Sequence, residues 1–179
     1  MKYRFALIGT GWRAAFFVKA AEELPERFTL TGVLCHSDRG REKASECWHA
    51  RIYDSLNEIL LDRPDYVIAS VPGKAVEELA LFFAKHDMPI MFETYCSESV
   101  EAMTSLYSRV GGARIQLAEQ YPFQPMHMAR IRTAQSGILG RVYQSRTSFV
   151  QNYHMLAVLR RLLGVRMELP VVYAYHREN

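Results

Sequence analysis

Residues Arg4-Phe-Ala-Leu-Ile8, Gly9-Thr-Gly-Trp-Arg-Ala14 and Ala15-Phe-Phe-Val-Lys-Ala-Ala-Glu-Glu-Leu24 follow one another without interruption. They read as an apolar strand, a Gly-x-Gly-x-x-Ala turn and a helix. Gly9 permits the tight turn, Gly11 lets the backbone approach a pyrophosphate because no Cβ intervenes, and the small Ala14 lets the helix lie close to the strand. Free amides at the helix start then face the phosphates. Gly9, Thr10, Gly11, Trp12 and Arg13 are therefore candidate dinucleotide contacts. Trp12 either covers the pyrophosphate or shields the helix start, and the plain alternative for the whole stretch is an ordinary strand-to-helix turn.

Outward from this turn, strand-like apolar runs recur at Phe28–Cys35, Asp65–Val71, Pro89–Glu93 and Arg114–Glu119. Helical patterns lie between them, at Arg41–His49, Ser55–Leu61, Gly73–Asp87 and Ser97–Val110. Strands alternating with helices at this spacing predict βαβ units and a doubly wound parallel sheet, an α/β fold. The strands are continuously apolar, as expected when helices cover both sheet faces. Asp54-Ser55 and Ser97-Glu98-Ser99 supply helix caps, and Gly111-Gly112 supplies a stop.

The nucleotide-binding domain is expected to span residues 1–120. Tyr121-Pro-Phe-Gln-Pro125 then forms a stiff connector to an incomplete second α/β domain at 121–179. That domain is expected to hold a helix at Met126–Gln135, a strand at Gly140–Gln151, a helix at His154–Leu163 and a strand at Leu169–Tyr175. Two strands alone are marginal and leave a sheet face in need of a partner, which points to a homo-oligomer joined through residues after 140.

With 179 residues the chain can bury about 70% of its unfolded surface, enough for a substantial core. No apolar stretch approaches the ~20 residues of a membrane span. The first strand begins at residue 3 or 4, leaving no room for a cleaved export signal, and the expected compartment is the cytoplasm. Cys35, Cys47 and Cys96 are odd in number and lack Cys-x-x-Cys spacing, which argues against a disulfide framework and a zinc site. The net charge of +3 is small and the arginines after residue 130 are dispersed, so nucleic acid is not an expected partner.

The chain resembles the glucose-fructose oxidoreductase, inositol dehydrogenase and MocA (Gfo/Idh/MocA) family through motifs running from residue 3 to about 175. Beside the Gly9 turn, Tyr53-Asp-Ser-Leu-Asn-Glu-Ile-Leu60 is similar to the family's helix start, and Ala69-Ser-Val-Pro72 to its proline-bearing turn after the fourth strand. Phe92-Glu-Thr-Tyr95 stands where the family carries Glu-Lys-Pro. Phe123-Gln-Pro125 with Ser136-Gly-Ile-Leu-Gly-Arg-Val-Tyr143 resembles the passage into the family's second domain. Tyr153-His154 with Leu159-Arg-Arg-Leu-Leu-Gly164 resembles its histidine helix.

The resemblance implies hydride transfer between a nicotinamide and a carbinol carbon of a sugar, polyol or related small molecule, with His154 moving the hydroxyl proton. It implies that Glu93 anchors ribose or substrate, and that Ser70, Val71, Pro72 and Gln120 line the cofactor site. Four departures cut the other way: Thr94 replaces the lysine, Tyr95 the proline, Ala157 an aspartate, and the second family histidine is missing near Val76. Thr94, Tyr95 and Ala157 support an alternative, a non-catalytic dinucleotide-binding or assembly module.

At the tip of the second strand, Cys35 takes the place of the acid that would bond a ribose 2′-hydroxyl. His36, Ser37 and Arg39 offer a 2′-phosphate hydroxyl and cationic partners, tilting the cofactor toward NADP over NAD. The other reading is a solvated loop from which Asp38 reaches the ribose. His154 suits acid-base work near neutrality, and its other reading is a surface histidine at a helix start. Glu93 ends a buried strand where such sheets bind ligands, or pairs with a lysine or arginine. Tyr95, Gln120 and Tyr121 line a pocket mouth or simply pack. No metal is expected, since the other histidines lack ligand spacing.

Overall fold

The computed structural model describes residues 1–93, 97, 99–148, 153–166, 168, 171–173 and 175. Thr94, Tyr95, Cys96 and parts of the two strands expected after residue 140, at 149–151 and at 169, 170 and 174, lie outside them. The chain divides into two compact units, Met1–Ala118 and Glu119–Asn179.

The first unit is a six-stranded parallel sheet in the order β3-β2-β1-β4-β5-β6. Its strands are β1 (Tyr3–Ile8), β2 (Phe28–Leu34), β3 (Ile52–Tyr53), β4 (Tyr66–Ala69), β5 (Ile90–Phe92) and β6 (Ile115–Leu117). The connecting helices are α1 (Trp12–Glu23), α2 (Asp38–Glu42), α3 (Leu56–Asp62), α4 (Val76–Lys85) and α5 (Val100–Val110). The chain winds outward from β1 in one direction through β2 and β3, then returns to β4 on the other side. The crevice between β1 and β4 is thus the switch point where doubly wound sheets take ligands.

The continuous apolar character of β1 is explained by two cores. Phe5 and Leu7 join Ala14, Val18, Val33, Ala44 and Ile68 on one face. Ala6 and Ile8 join Ile59, Val67, Ala69, Val76, Phe83 and Phe92 on the other. Consecutive strand residues point to opposite faces, so a strand covered on both sides has no polar position to offer.

Two local expectations are corrected. The helix expected at Arg41–His49 is instead α2, five residues long, running into a wider π-turn at Lys43–Cys47. The two-residue β3 was not foreseen, being too short to show a period. Among the described residues, no helix is long and apolar enough to cross a membrane.

The second unit holds a 3-10 turn at Tyr121–Phe123 and two helices, α6 (Pro125–Gln135) and α7 (His154–Leu163). Pro122, Ile131, Val158 and His154 are its buried side chains among those described. The strands expected at Gly140–Gln151 and Leu169–Tyr175 form no ladder over the described residues 140–148, 171–173 and 175. A strand needs a neighbour's backbone groups, and a β-favouring sequence supplies only half of each pair.

Candidate functional site

Backbone hydrogen bonds continue the sheet ladder past its strands and place three candidate residues at its carboxyl edge. Gly9 N donates to Leu34 O at 2.9 Å, Ser70 N to Ile8 O at 2.8 Å, and Glu93 N to Ala69 O at 2.9 Å. Gly9 adopts φ +99°, and a Cβ there would sit 2.2 Å from the Ser70 carbonyl oxygen, so conformation and crowding both require glycine. Val71 lies against the same turn, and Pro72 precedes the 3-10 turn that leads into α4.

Gly11 is different. It is extended, with φ −62° and ψ 176°, and a Cβ there would meet none of the described residues within 4 Å. It begins α1 without a side-chain cap, and no acid occupies the first turn. Helices α2, α3 and α5 instead begin at Ser37, Ser55 and Ser99, whose hydroxyls accept from Gly40 N, Glu58 N and Ala102 N. The α1 amides are thus left without a side-chain cap beside the switch point, the arrangement that suits a pyrophosphate. The residues present fit a dinucleotide.

Arg13 and Glu93 form an ion pair, Nε to Oε1 at 2.7 Å, with both side chains largely buried. The arginine alternative for Glu93 is therefore realised, and the pair sits at the carboxyl edge of the sheet. The Arg13 guanidinium also lies over the Trp12 ring, 4.6 Å from its centroid, while Trp12 itself is exposed.

Sequence reasoning missed Lys43. Its Nζ donates to Thr10 O at 2.9 Å, adding a cation beneath the glycine turn. This contact depends on Gly40, where a Cβ would meet Thr10 Oγ1 at 2.7 Å and Ser37 Oγ at 2.9 Å, so α2 sits directly against the turn. The only signal in the chain was a glycine inside a short helix. His36, Ser37, Asp38 and Arg39 are all exposed at the tip of β2, whereas Cys35 is buried and burial pushes its thiol up.

In the second unit His154 is buried, so it is not the surface histidine of the alternative reading. Its Nδ1 lies 2.8 Å from Glu119 Oε2. The Tyr121 ring covers one face at 4.5 Å between centroids and 7° between planes, and Tyr153 approaches at 4.4 Å and 42°. Glu119 Oε1 accepts from Tyr121 N at 2.9 Å. Gln120, between them, is exposed. Glu119 was not foreseen; its place just past a strand end was a signal, but a partner 35 residues away was not legible.

A doubly wound sheet with an uncapped glycine turn at its switch point defines a dinucleotide-binding α/β protein. Residues 3–118 match the oxidoreductase family with an NAD-binding Rossmann fold, Gfo/Idh/MocA, and the chain belongs to that family. No curated protein matches it.

Several solved structures share the fold. The WlbA dehydrogenase from Chromobacterium violaceum, in complex with NADH and UDP-GlcNAcA, is 20% identical at a TM-score of 0.76, covering 90% of this chain and 55% of that one. The myo-inositol dehydrogenase from Lactobacillus casei, with NAD(H) and myo-inositol, is 17% identical at 0.76, covering 92% and 55%. A myo-inositol dehydrogenase from Corynebacterium glutamicum is 16% identical at 0.76, covering 90% and 55%. The chain spans about half the length of these proteins.

Proposed function

We propose that this chain belongs to an NAD(P)-dependent oxidoreductase that moves a hydride between nicotinamide and a carbinol carbon of a sugar, polyol or related metabolite. The observation that carries the reading is the carboxyl edge of the sheet. There Gly9, Ser70 and Glu93 stand in a row beside the uncapped start of α1. Gly9–Arg13 would hold the pyrophosphate through backbone amides, with Lys43 and Arg13 adding positive charge nearby. Ser70, Val71, Pro72 and Gln120 would line the remainder. The bound nicotinamide supplies the hydride chemistry.

His154 would take up or return the substrate hydroxyl proton. Glu93, paired with Arg13, would accept hydrogen bonds from ribose or substrate hydroxyls. At the β2 tip, the absence of an acid at Cys35 favours a 2′-phosphate held by His36, Ser37 and Arg39, hence NADP over NAD. The complex titrations that test this are direct. NADPH fluorescence should report tighter binding than NADH, with a preference that shrinks at high salt because it is partly Coulombic. Gly11→Val should weaken either dinucleotide by ~3 kcal/mol or more, over a hundredfold. Unchanged affinity in a folded Gly11→Val variant removes the site from the glycine turn.

Thr94 in place of the family lysine favours a second reading, a dinucleotide-binding module without turnover. A protein saturated with cofactor that changes nicotinamide absorbance on no sugar, polyol or amino-sugar would decide for it.

A further inference from the structure

We infer that Glu119 is the positioning residue that holds His154 in one tautomer with one nitrogen available for proton transfer; this rests on the reading of His154 as the acid-base group. Four contacts converge on the pair. An ionised carboxylate can only accept, so Nδ1, 2.8 Å from Glu119 Oε2, must carry the proton. The second carboxylate oxygen is tied down by Tyr121 N at 2.9 Å, so the acceptor cannot swing away. Tyr121 lies parallel on one face of the imidazole and Tyr153 against the ring from α7 itself. Nε2 is the remaining ring nitrogen, and it has no partner among the described residues.

The segment Glu119–Tyr121 thus supplies the carboxylate, the amide that fixes it and the ring that clamps the histidine. A base held this way presents Nε2 in one fixed orientation to the proton it takes up or returns. Among the described residues, the other titratable groups facing the cluster do not compete for the carboxylate. His127 on α6 stacks behind Tyr121 at 6.1 Å, with its Nδ1 buried and without a hydrogen-bond partner among the described residues. Arg161 on α7 lies over Phe123.

The test uses the whole chain labelled with 15N-histidine, with the His154 signals assigned by their loss in His154→Gln. In the wild type, neutral His154 should show a protonated Nδ1 and an unprotonated Nε2. Glu119→Gln, equal in shape but able to donate, should mix the tautomers and draw the two shifts together. Glu119→Asp should restore part of the difference. In turnover, Glu119→Gln should lower kcat by ~10²-fold while KM for the dinucleotide stays within about twofold, the loss expected when a proton-transfer base is misoriented rather than removed. A tautomer ratio unchanged by Glu119→Gln overturns the assignment of Glu119, whatever the turnover. A shifted ratio in a protein that reduces and oxidises nothing keeps the orientation by Glu119 and overturns the proposed reaction instead.

Discussion

At the scale of single residues, Tyr53 shows how a buried hydroxyl is made tolerable. It is fully buried on the face of the sheet that packs on α3. Its hydroxyl donates to the Asp62 carboxylate and lies 2.8 Å from Thr31 Oγ1. Thr31 is the residue skipped by the register of β1 and β2. Burial, reinforced by the Asp62 contact, pushes the Tyr53 phenol up to about 12. The Tyr53 hydrogen bond holds the Asp62 carboxyl below its ordinary range, with Arg4 and Arg51 adding to the effect. The two shifts act on opposite limbs. Stability from Asp62 is fully present above its unfolded value near 3.8 and is lost as pH falls through its lower folded value. Stability from Tyr53 is fully present below 10 and is lost as pH rises toward about 12. Tyr53→Phe should cost about 1–3 kcal/mol at neutral pH and flatten both limbs. Urea denaturation across pH measures it, and unaltered limbs would show that the network is not coupled to folding.

At the scale of elements, the helix starts divide by purpose. Serine caps satisfy the first amides of α2, α3 and α5, which begin on turns with no ligand role assigned to α3 or α5. Helix α1 leaves its first amides open at Gly11. Capping and ligand binding use the same amides, so they should trade against each other. The Gly11 backbone is in an extended conformation that any residue adopts, and none of the described residues lies within 4 Å of where a Cβ would stand. Gly11→Ser should therefore stabilise the free chain by about 0.5–1 kcal/mol, through the new cap and a less flexible unfolded state. The same variant should bind NADPH more weakly than wild type. Thermal melts and fluorescence titration on one sample test both signs. A variant that gains stability and keeps its affinity would show that the α1 amides are not used for phosphate.

At the scale of the whole molecule, exposed apolar side chains concentrate in the second unit: Ile138, Leu139, Tyr143, Val171, Val172 and Tyr173. Scattered exposed residues are ordinary, but a run of them in so small a unit calls for cover. The proposed cover is a second copy of the chain joined through residues after 140. Light scattering at micromolar concentration should return more than a monomer mass, and Val172→Asp should lower it without unfolding the first unit. A monodisperse monomer would refute the association.

Much of the first unit was legible because its physics is local. Period, turn glycines and capping serines act over a few residues, and the Gly9 turn, α1, α3 and the order of strands and helices follow from them. The second unit was less legible for the complementary reason. The His154–Leu163 helix was readable from its own pattern, whereas strands at Gly140–Gln151 and Leu169–Tyr175 depend on partners that no run of side chains specifies. The candidate site divides the same way. Gly9, Gly11, Ser70 and Glu93 could be placed from the motif and the strand ends. The pairing of Arg13 with Glu93, of Lys43 with Thr10 and of Glu119 with His154 could not, because each joins residues 33 to 80 positions apart. The sequence by itself determined which backbone amides are left open, since that is a matter of glycine, cap and period. Only the tertiary structure decided which charges face one another, since charge pairing is set by distances between elements that packing alone establishes.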